Sequence, residues 1–460
     1  MSYQANHDYP SQASNNPEIP HAYMGDALRH FPGASSSLRY IPTSSGSNIT
    51  QSSSALFMLP QELRSYIRPG SMYLKGTITV TGTLAGAVLR PAWGFAGQNA
   101  TTAGNAVVAT TVNFGNGSAN SLFNRWTVSF GGLTMSYSNA NQFSSCVIPH
   151  ASSRDYLESD CRQSELRGWM KQNNGEDLAI NKTATFCVPV PLPCMNAEQA
   201  FPMLLLNGGI QIEVQTETLN AAIFAYDAAT VTGFGLSGLT LCYELTTVSE
   251  DFKRALIAAK ASSGGYLLHQ NDVTSIGPQS VAAGASTRLS LGVSLSSLRG
   301  GVFSMQPIAN VTSVANAKFW STNSMSTYTV SVNGRIVTLS NINDDTTMYM
   351  ELQRALGRIG DITVNSSLVA LANTTSTNLR TNYTTAQFAA GFSTASYDGW
   401  EATSCGIPCD NIALDLTLVA ASNASLFQAI INSADSSLYL WLFHDSVLVF
   451  GPDGMVTLRK

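Results

Sequence analysis

Apolar and polar residues alternate with a period near two along much of this chain. Ser71–Thr81, SMYLKGTITVT, alternates as a half-buried strand does. Trp126 to Tyr137 reads as two strands broken at Gly131-Gly132, and a two-residue glycine turn between β-rich runs signals a hairpin. The pattern then repeats. Thr127–Asn141 reads TVSFGGLTMSYSNAN, and Thr329–Asn343 reads TVSVNGRIVTLSNIN, an ungapped match at an offset of 329 − 127 = 202. Thr127/Thr329, Val128/Val330, Ser129/Ser331, Gly132/Gly334, Ser138/Ser340, Asn139/Asn341 and Asn141/Asn343 are identical, and Trp126 stands opposite Tyr328. The second copy carries Asn333-Gly334 at the turn, the strongest short hairpin dipeptide.

A second block keeps the same offset. Ile210–Val214 aligns with Ile412–Leu416, with apolar residues at the same alternate positions and Glu213 against Asp415. An earlier match is looser. Ser71-Met-Tyr-Leu against Ser286-Thr-Arg-Leu has an offset of 286 − 71 = 215, which puts 13 extra residues before the hairpin of the first copy. Insertions of that kind belong in loops.

Helical spacing is confined to short stretches. Ser249–Lys260 opens with an N-cap serine and two acids, places Phe252, Leu256 and Ala259 on one face, and stops near Gly264-Gly265. It is expected to join the two halves. Further helices are expected at Tyr156–Met170, Met348–Leu356 and Ser425–Ile431. Leu56–Pro60 followed by Gln61–Ile67 reads as an apolar segment and a short helix. Residues 1–55 are polar and aperiodic, as in a flexible arm.

The expected fold class is therefore all-β: two tandem eight-stranded jelly rolls with a few short helices and a flexible N-terminal arm. The boundaries are 1–55 for the arm, 56–255 for the first jelly roll and 256–460 for the second, with helix 249–261 at the junction. Strand length and turn chemistry fit other sandwiches equally well.

Composition narrows the function. Charged residues make up 12% of the 460, against about 25% in ordinary domains. Hydrophobic residues make up 44%. A surface drawn from Ser, Thr, Asn, Gln and Gly suits a β-protein largely covered by neighbours, because charge is depleted at interface centres. Net charge is −5 and no Lys/Arg run exists, so direct nucleic-acid binding is not expected. The N-terminus lacks a secretory pattern and no 18-residue apolar stretch is present, so synthesis in the cytosol without secretion is expected. Triplets such as Asn48-Ile-Thr, Asn116-Gly-Ser and Asn310-Val-Thr then read as chance. The seven cysteines, at 146, 161, 187, 194, 242, 405 and 409, read as mostly buried thiols. Cys405 and Cys409 are the only close pair, and no further Cys or His follows until His444, so no metal site is expected.

Enzyme signatures fail one by one. Gly233-Phe-Gly-Leu-Ser-Gly238 matches a dinucleotide fingerprint, but a strand follows where a helix must, so it reads as a turn. His444-Asp445 suits acid–base work, yet no nucleophile stands beside it. His150 falls in an expected loop, and His7, His21 and His30 fall in the arm. Asp344-Asp345 suits a helix N-terminus better than a calcium cage. Trp93 and Trp400 suit sugar stacking or subunit anchoring. No catalytic, cofactor-binding or metal-ligating residue is assigned, and the chain is not read as an enzyme.

The succession Val188-Pro-Val-Pro-Leu-Pro193, Phe201 to Glu213 with its Gly-Gly-Ile step, Leu239–Leu245 and Ser249-Glu-Asp-Phe resembles the end of the first jelly roll in the double jelly-roll major capsid proteins of the PRD1–adenovirus lineage. The likeness is to the forms of virophages and polinton-like viruses, dsDNA viruses with icosahedral capsids, and it spans about residues 55–460. Asp445–Phe450 and Asp453–Leu458 resemble the end of the second jelly roll. The resemblance implies a homotrimer with six jelly rolls, a pseudo-hexagonal capsomer of the virion. It implies neighbouring capsomers, penton and minor capsid proteins as partners, the arm as a clamp between tiles, and in many members an internal membrane beneath the shell. The other reading of the residues is a virion spike or receptor-binding β-sandwich of adhesin or lectin type.

Overall fold

The computed structural model describes residues 35–82, 88–89, 111–114, 119–151, 178–179, 183–225, 231–308 without 264 and 285, 320–356 without 321, 324, 339–341 and 343, 388–394, 406–418, and 435–460 without 452. The expected helices at Tyr156–Met170 and Ser425–Ile431, with Trp93, Trp400, Cys161, Cys405, His7, His21 and His30, lie outside the described residues.

The first half builds strands β1 (Ser35–Pro42), β2 (Asn48–Thr50), β3 (Ser54–Leu59), β4 (Ser65–Ile67), β5 (Tyr73–Gly82), β6 (Val88–Leu89), β7 (Thr111–Phe114), β8 (Phe123–Phe130) and β9 (Leu133–Tyr137). Helix α1 (Ala140–Ala151) follows, then β10 (Leu178–Ala179), β11 (Thr183–Pro189), β12 (Ile210–Thr216), β13 (Ile223–Ala225) and β14 (Val231–Thr247). Helix α2 (Glu250–Ser263) leads into β15 (Tyr266–Val281), β16 (Ser286–Pro307), β17 (Met325–Val332) and β18 (Arg335–Ile336). Helix α3 (Asp345–Ala355), β19 (Ala390–Ser393), β20 (Ile407–Leu418), β21 (Ser436–Phe450) and β22 (Val456–Arg459) complete the chain.

In the first half one sheet runs β1-β14-β5-β11, with β2 and β4 also on β14, and a second runs β3-β12-β8-β9. In the second half the sheet path is β15-β21-β16-β20-β17-β18, with β19 on β16 and β22 on β21. Cut at the middle of β16, that path becomes β15-β21-β16-β19 and β16-β20-β17-β18. These are the two sheets of the first half, strand for strand. Among the described residues a small sheet β10-β6-β7-β13 is added to the first half.

Register repeats as well as order. Val128 pairs with Ile212 and Trp126 with Val214. Their counterparts 202 residues on, Val330 with Leu414 and Tyr328 with Leu416, pair in the same way. Both hairpin turns hold two residues in the left-handed region, Gly131 and Gly132 at φ 53° and 79°, Asn333 and Gly334 at 50° and 79°. That is the mirror-image turn whose twist suits a β-hairpin, and it selects Asn and Gly.

The looser match at offset 215 is corrected. Ser286–Leu291 of β16 pairs with β20 as Ser54–Leu59 pairs with β12, so the counterpart of Ser286-Thr-Arg-Leu is the segment at Ser54–Phe57. β5 corresponds instead to Leu298–Pro307, which pairs with β21 and β19 as β5 pairs with β14 and β11. A conserved pairing of Gly and Phe confirms it: Gly76 lies opposite Phe186, and Gly301 opposite Phe392. Alternation alone fits any two strands, whereas ladder partners identify one.

Two further expectations change. Residues 35–55 are not a free arm, because β1 pairs with Thr240–Thr247 of β14 and β2 with Ser237–Gly235. Gln61–Ile67 is not a helix. Ser65–Ile67 adds a short strand to Leu245–Thr247, where the ladder offers partners that a one-turn helix lacks. The helix expected from Ser249 is present as α2, with the Phe252 amide donating to Ser249 Oγ at 3.3 Å and Phe252 and Leu256 buried. The helix expected at Met348–Leu356 is present as α3, and Asp344 caps it by accepting from the Thr347 amide at 2.9 Å. Such a cap is worth about 1 kcal/mol.

Two cores result, one for each half, and both borrow from the other. The first includes Phe57, Trp126, Ile212 and Leu241, and also Tyr266, Leu268, Leu448, Phe450 and Val456 from the second half. The second includes Phe303, Tyr328, Leu414 and Trp441, and also Cys146 and Val147 from α1.

Candidate assembly surfaces and the polar belt between the cores

β15 and β21 run side by side from one core into the other. Their inward face begins with Tyr266 against Phe450 and Leu268 against Leu448, all in the first core. It ends with Thr274 against Leu442 and Ile276 against Leu440, at the second core. Between them, Gln270 faces Ser446 and Asp272 faces His444, and all four are buried. Gln270 Nε2 donates to Ser446 Oγ at 2.8 Å, and Ser446 Oγ donates to Asp272 Oδ2 at 3.3 Å. The Val273 amide donates to Asp272 Oδ1 at 2.8 Å. His444 Nε2 lies 2.9 Å from Thr274 Oγ1 and Nδ1 lies 3.3 Å from the Asp445 carbonyl. Burying such groups unpaired costs several kcal/mol, so the belt holds together only while its bonds are made.

The first half closes over this belt with Tyr137 and Cys194. Burial, and then the facing Asp272 carboxylate, hold the Tyr137 hydroxyl well above its ordinary range. Burial likewise pushes the Cys194 thiol up. Burial holds His444 below its ordinary value, against the opposing pull of Asp272, with Asp445 and Lys460 also facing it. Burial thus favours the neutral imidazole.

His444 and Asp445 do not form a dyad. Neighbours on a strand point to opposite faces. The Asp445 carboxylate turns to Arg299 and accepts from Ser297 Oγ at 2.6 Å. Gly233–Gly238 is strand rather than turn, since the whole stretch lies inside β14, where the pairing with β5 slips between Ser237 and Thr240. His150 sits buried in α1 instead of a loop. Five cysteines are described, and none is disulfide-bonded: Cys146, Cys194, Cys242 and Cys409 are buried and Cys187 is half-buried. Among the described residues no group of three His, Cys, Asp or Glu side chains is placed to hold a metal, and no helix is long and apolar enough to cross a membrane.

What the molecule does expose is apolar surface on strands. Leu38 and Tyr40 stand two apart on β1, on the face shared with Glu244 and Cys242 of β14 and then with Tyr73 of β5. Leu38 is 47% exposed and Tyr40 59%. Glu244 beneath them accepts from Ser36 and from Arg68 Nη1 at 2.9 Å, and these bonds, Ser36 first, lower its pKa. Burial and the nearby Cys242 push Tyr73 up to about 12. On the opposite face Arg39 reaches Glu62 at 3.4 Å. Ile336 at the tip of β18 is 60% exposed. Exposure on this scale was invisible in the sequence, because β1 carries no burial pattern of its own.

Two sheets per half, each with the same order, two halves in one chain: this is the double jelly roll. Solved structures share it. PBCV-1 VP54, as fitted into a reconstruction of the virophage Sputnik, superimposes with a TM-score of 0.57 at 11% identity, covering 93% of this chain and 97% of that one. The Sputnik virophage structure gives 0.54 at 10% identity, with 93% and 88% covered. The Faustovirus major capsid protein gives 0.54 at 12% identity, with 98% and 99% covered. At these identities the likeness is one of fold. The sequence matches no protein-family model and no curated protein.

Proposed function

We propose that this protein is the major capsid protein of an icosahedral virus, working as a trimeric capsomer. The observation that carries the reading is coverage: both jelly rolls and their junction superimpose on a major capsid protein, Faustovirus's, over 98% of one chain and 99% of the other. The function is geometric. Two similar modules, with their boundary at α2, give three copies six similar edges, so one gene product tiles a flat facet. The low charge fits a surface mostly covered by neighbouring capsomers, with penton and minor proteins at vertices and seams. Residues 1–34 are left as the clamp between tiles, since 35–42 belong to a sheet. The test is light scattering of the purified chain, then electron microscopy at rising concentration. A particle of three 48.9 kDa chains that builds sheets or shells supports the reading. A monomer that never assembles overturns it.

A further inference from the structure

We infer that Gly454–Lys460, the end of the last turn together with β22, is a strap that latches the second jelly roll onto the first, so that the two halves part only when it lets go. The inference concerns the single chain and stands apart from the capsomer reading.

The sheets do not join the halves. Among the described residues every strand up to β14 pairs within the first half, and every strand from β15 onward pairs within the second. Outside helices and strands, two backbone hydrogen bonds between described residues cross from one half to the other, and both end on this segment. The Val456 amide donates to the Gly131 carbonyl at 2.8 Å. The Asn207 amide donates to the Gly454 carbonyl at 3.5 Å. The segment is anchored to its own half as well. β22 pairs with Val447–Phe450 of β21, and the Ser296 amide donates to the Lys460 carbonyl at 3.1 Å, where the pairing of β16 with β20 slips.

The side chains follow the backbone across the seam. Val456 is buried in the first core and Leu458 packs against that core, while Thr457 and Arg459 are exposed. The crossing is tight. Gly454 lies at φ 79°, and a Cβ there would stand 2.6 Å from Asn207 Cβ and 2.7 Å from Asn207 N. The first half uses the equivalent place in its chain differently. After β14 comes α2, which returns Phe252 and Leu256 to the core of its own half. After β21 comes β22, which lends Val456 to the core of the other. The polar belt between the halves adds little hold of its own, because its hydrogen bonds replace bonds to water.

The experiment compares the full-length chain with a chain ended after Asp453 and with Gly454→Ala, which strains the turn and pushes it off Asn207 while keeping β22. Alkylation of Cys194 by N-ethylmaleimide, read by mass spectrometry, reports the seam, because that thiol is buried and faces Asp272 of β15. Hydrogen exchange in Leu74–Val80 and in Val302–Met305 reports the interior of each half. The expected result is alkylation of Cys194 about tenfold faster in the shortened chain and about threefold faster in Gly454→Ala, with both interiors unchanged. Alkylation at the parent rate in both variants overturns the inference. Alkylation that rises only together with exchange in either interior also overturns it, since the segment would then stabilise a half and latch nothing. Should the shortened chain fail to fold, Gly454→Ala decides by the same two readings.

Discussion

The two modules share a plan and differ in how they finish it. The first breaks its leading strand at Pro60 into β3, β4 and β5, and closes its own end with β4 and α2, where Tyr66 meets Phe252 at 6.4 Å between ring centroids. The second keeps one strand, β16, whose pairing slips between Gly292 and Leu298 as it passes from one sheet to the other. It leaves its end to be closed by the first module. There Phe450 packs against Phe201 at 5.6 Å and Tyr266 at 5.9 Å. The difference shows that duplication preserved ladders and turns while module ends diverged into contacts. It also makes the second module the dependent partner.

That dependence can be broken at its tip. Phe450→Ala removes the ring that seats the end of the second half in the first core, and such a truncation costs about 3–5 kcal/mol. Urea unfolding of the variant is expected to split into two transitions, with the second module going first. A single cooperative transition would leave the modules equal.

The matched Gly–Phe pairs sharpen the comparison. A Cβ on Gly301 would stand 2.8 Å from the Trp441 carbonyl and 2.8 Å from the Phe392 ring. On Gly76 it would meet only side-chain ends, Leu239 at 2.5 Å and Phe186 at 2.8 Å. Gly301→Ala is therefore expected to cost more than Gly76→Ala, about 2–3 kcal/mol against about 1, since side chains yield and backbone does not. Thermal melting of the two variants checks the order.

The turns differ in one residue. A Cβ on Gly131 would lie 2.6 Å from Val456 Cγ2, whereas Asn333 is free to bond the Pro408 carbonyl and the amides of Asp410 and Asn411. Gly131→Asn should lower stability by about 1–2 kcal/mol through that clash, and Asn333→Gly by about 1 through lost hydrogen bonds. Equal effects would mean the C-terminal hairpin does not press on the first turn.

The smallest effect is set by pH. Burial holds His444 below its ordinary value of 6.5, so the unfolded chain takes up the proton first. The contribution is whole above that value and shrinks as pH falls below it. His444→Gln should flatten the decline in melting temperature on acidification. A parallel decline in the variant would acquit the belt.

The hairpin copies were legible in the sequence because turn chemistry is local: Gly131-Gly132 and Asn333-Gly334 announce themselves, and an ungapped offset carries partner strands with them. α2 was legible from Ser249 and its spacing. β1 was not, because Ser35–Pro42 owes its strand to backbone partners some 200 residues away in β14. The belt was not, because His444 and Asp272 meet only across a ladder. Alternation, turn residues and caps determined that this chain is a duplicated β-protein, since each acts within a few residues. Which strand is the counterpart of which, which core takes Phe450, and which edge stays bare were decided by tertiary structure, because long-range pairing is chosen by the fit of whole sheets and leaves no mark on either strand alone.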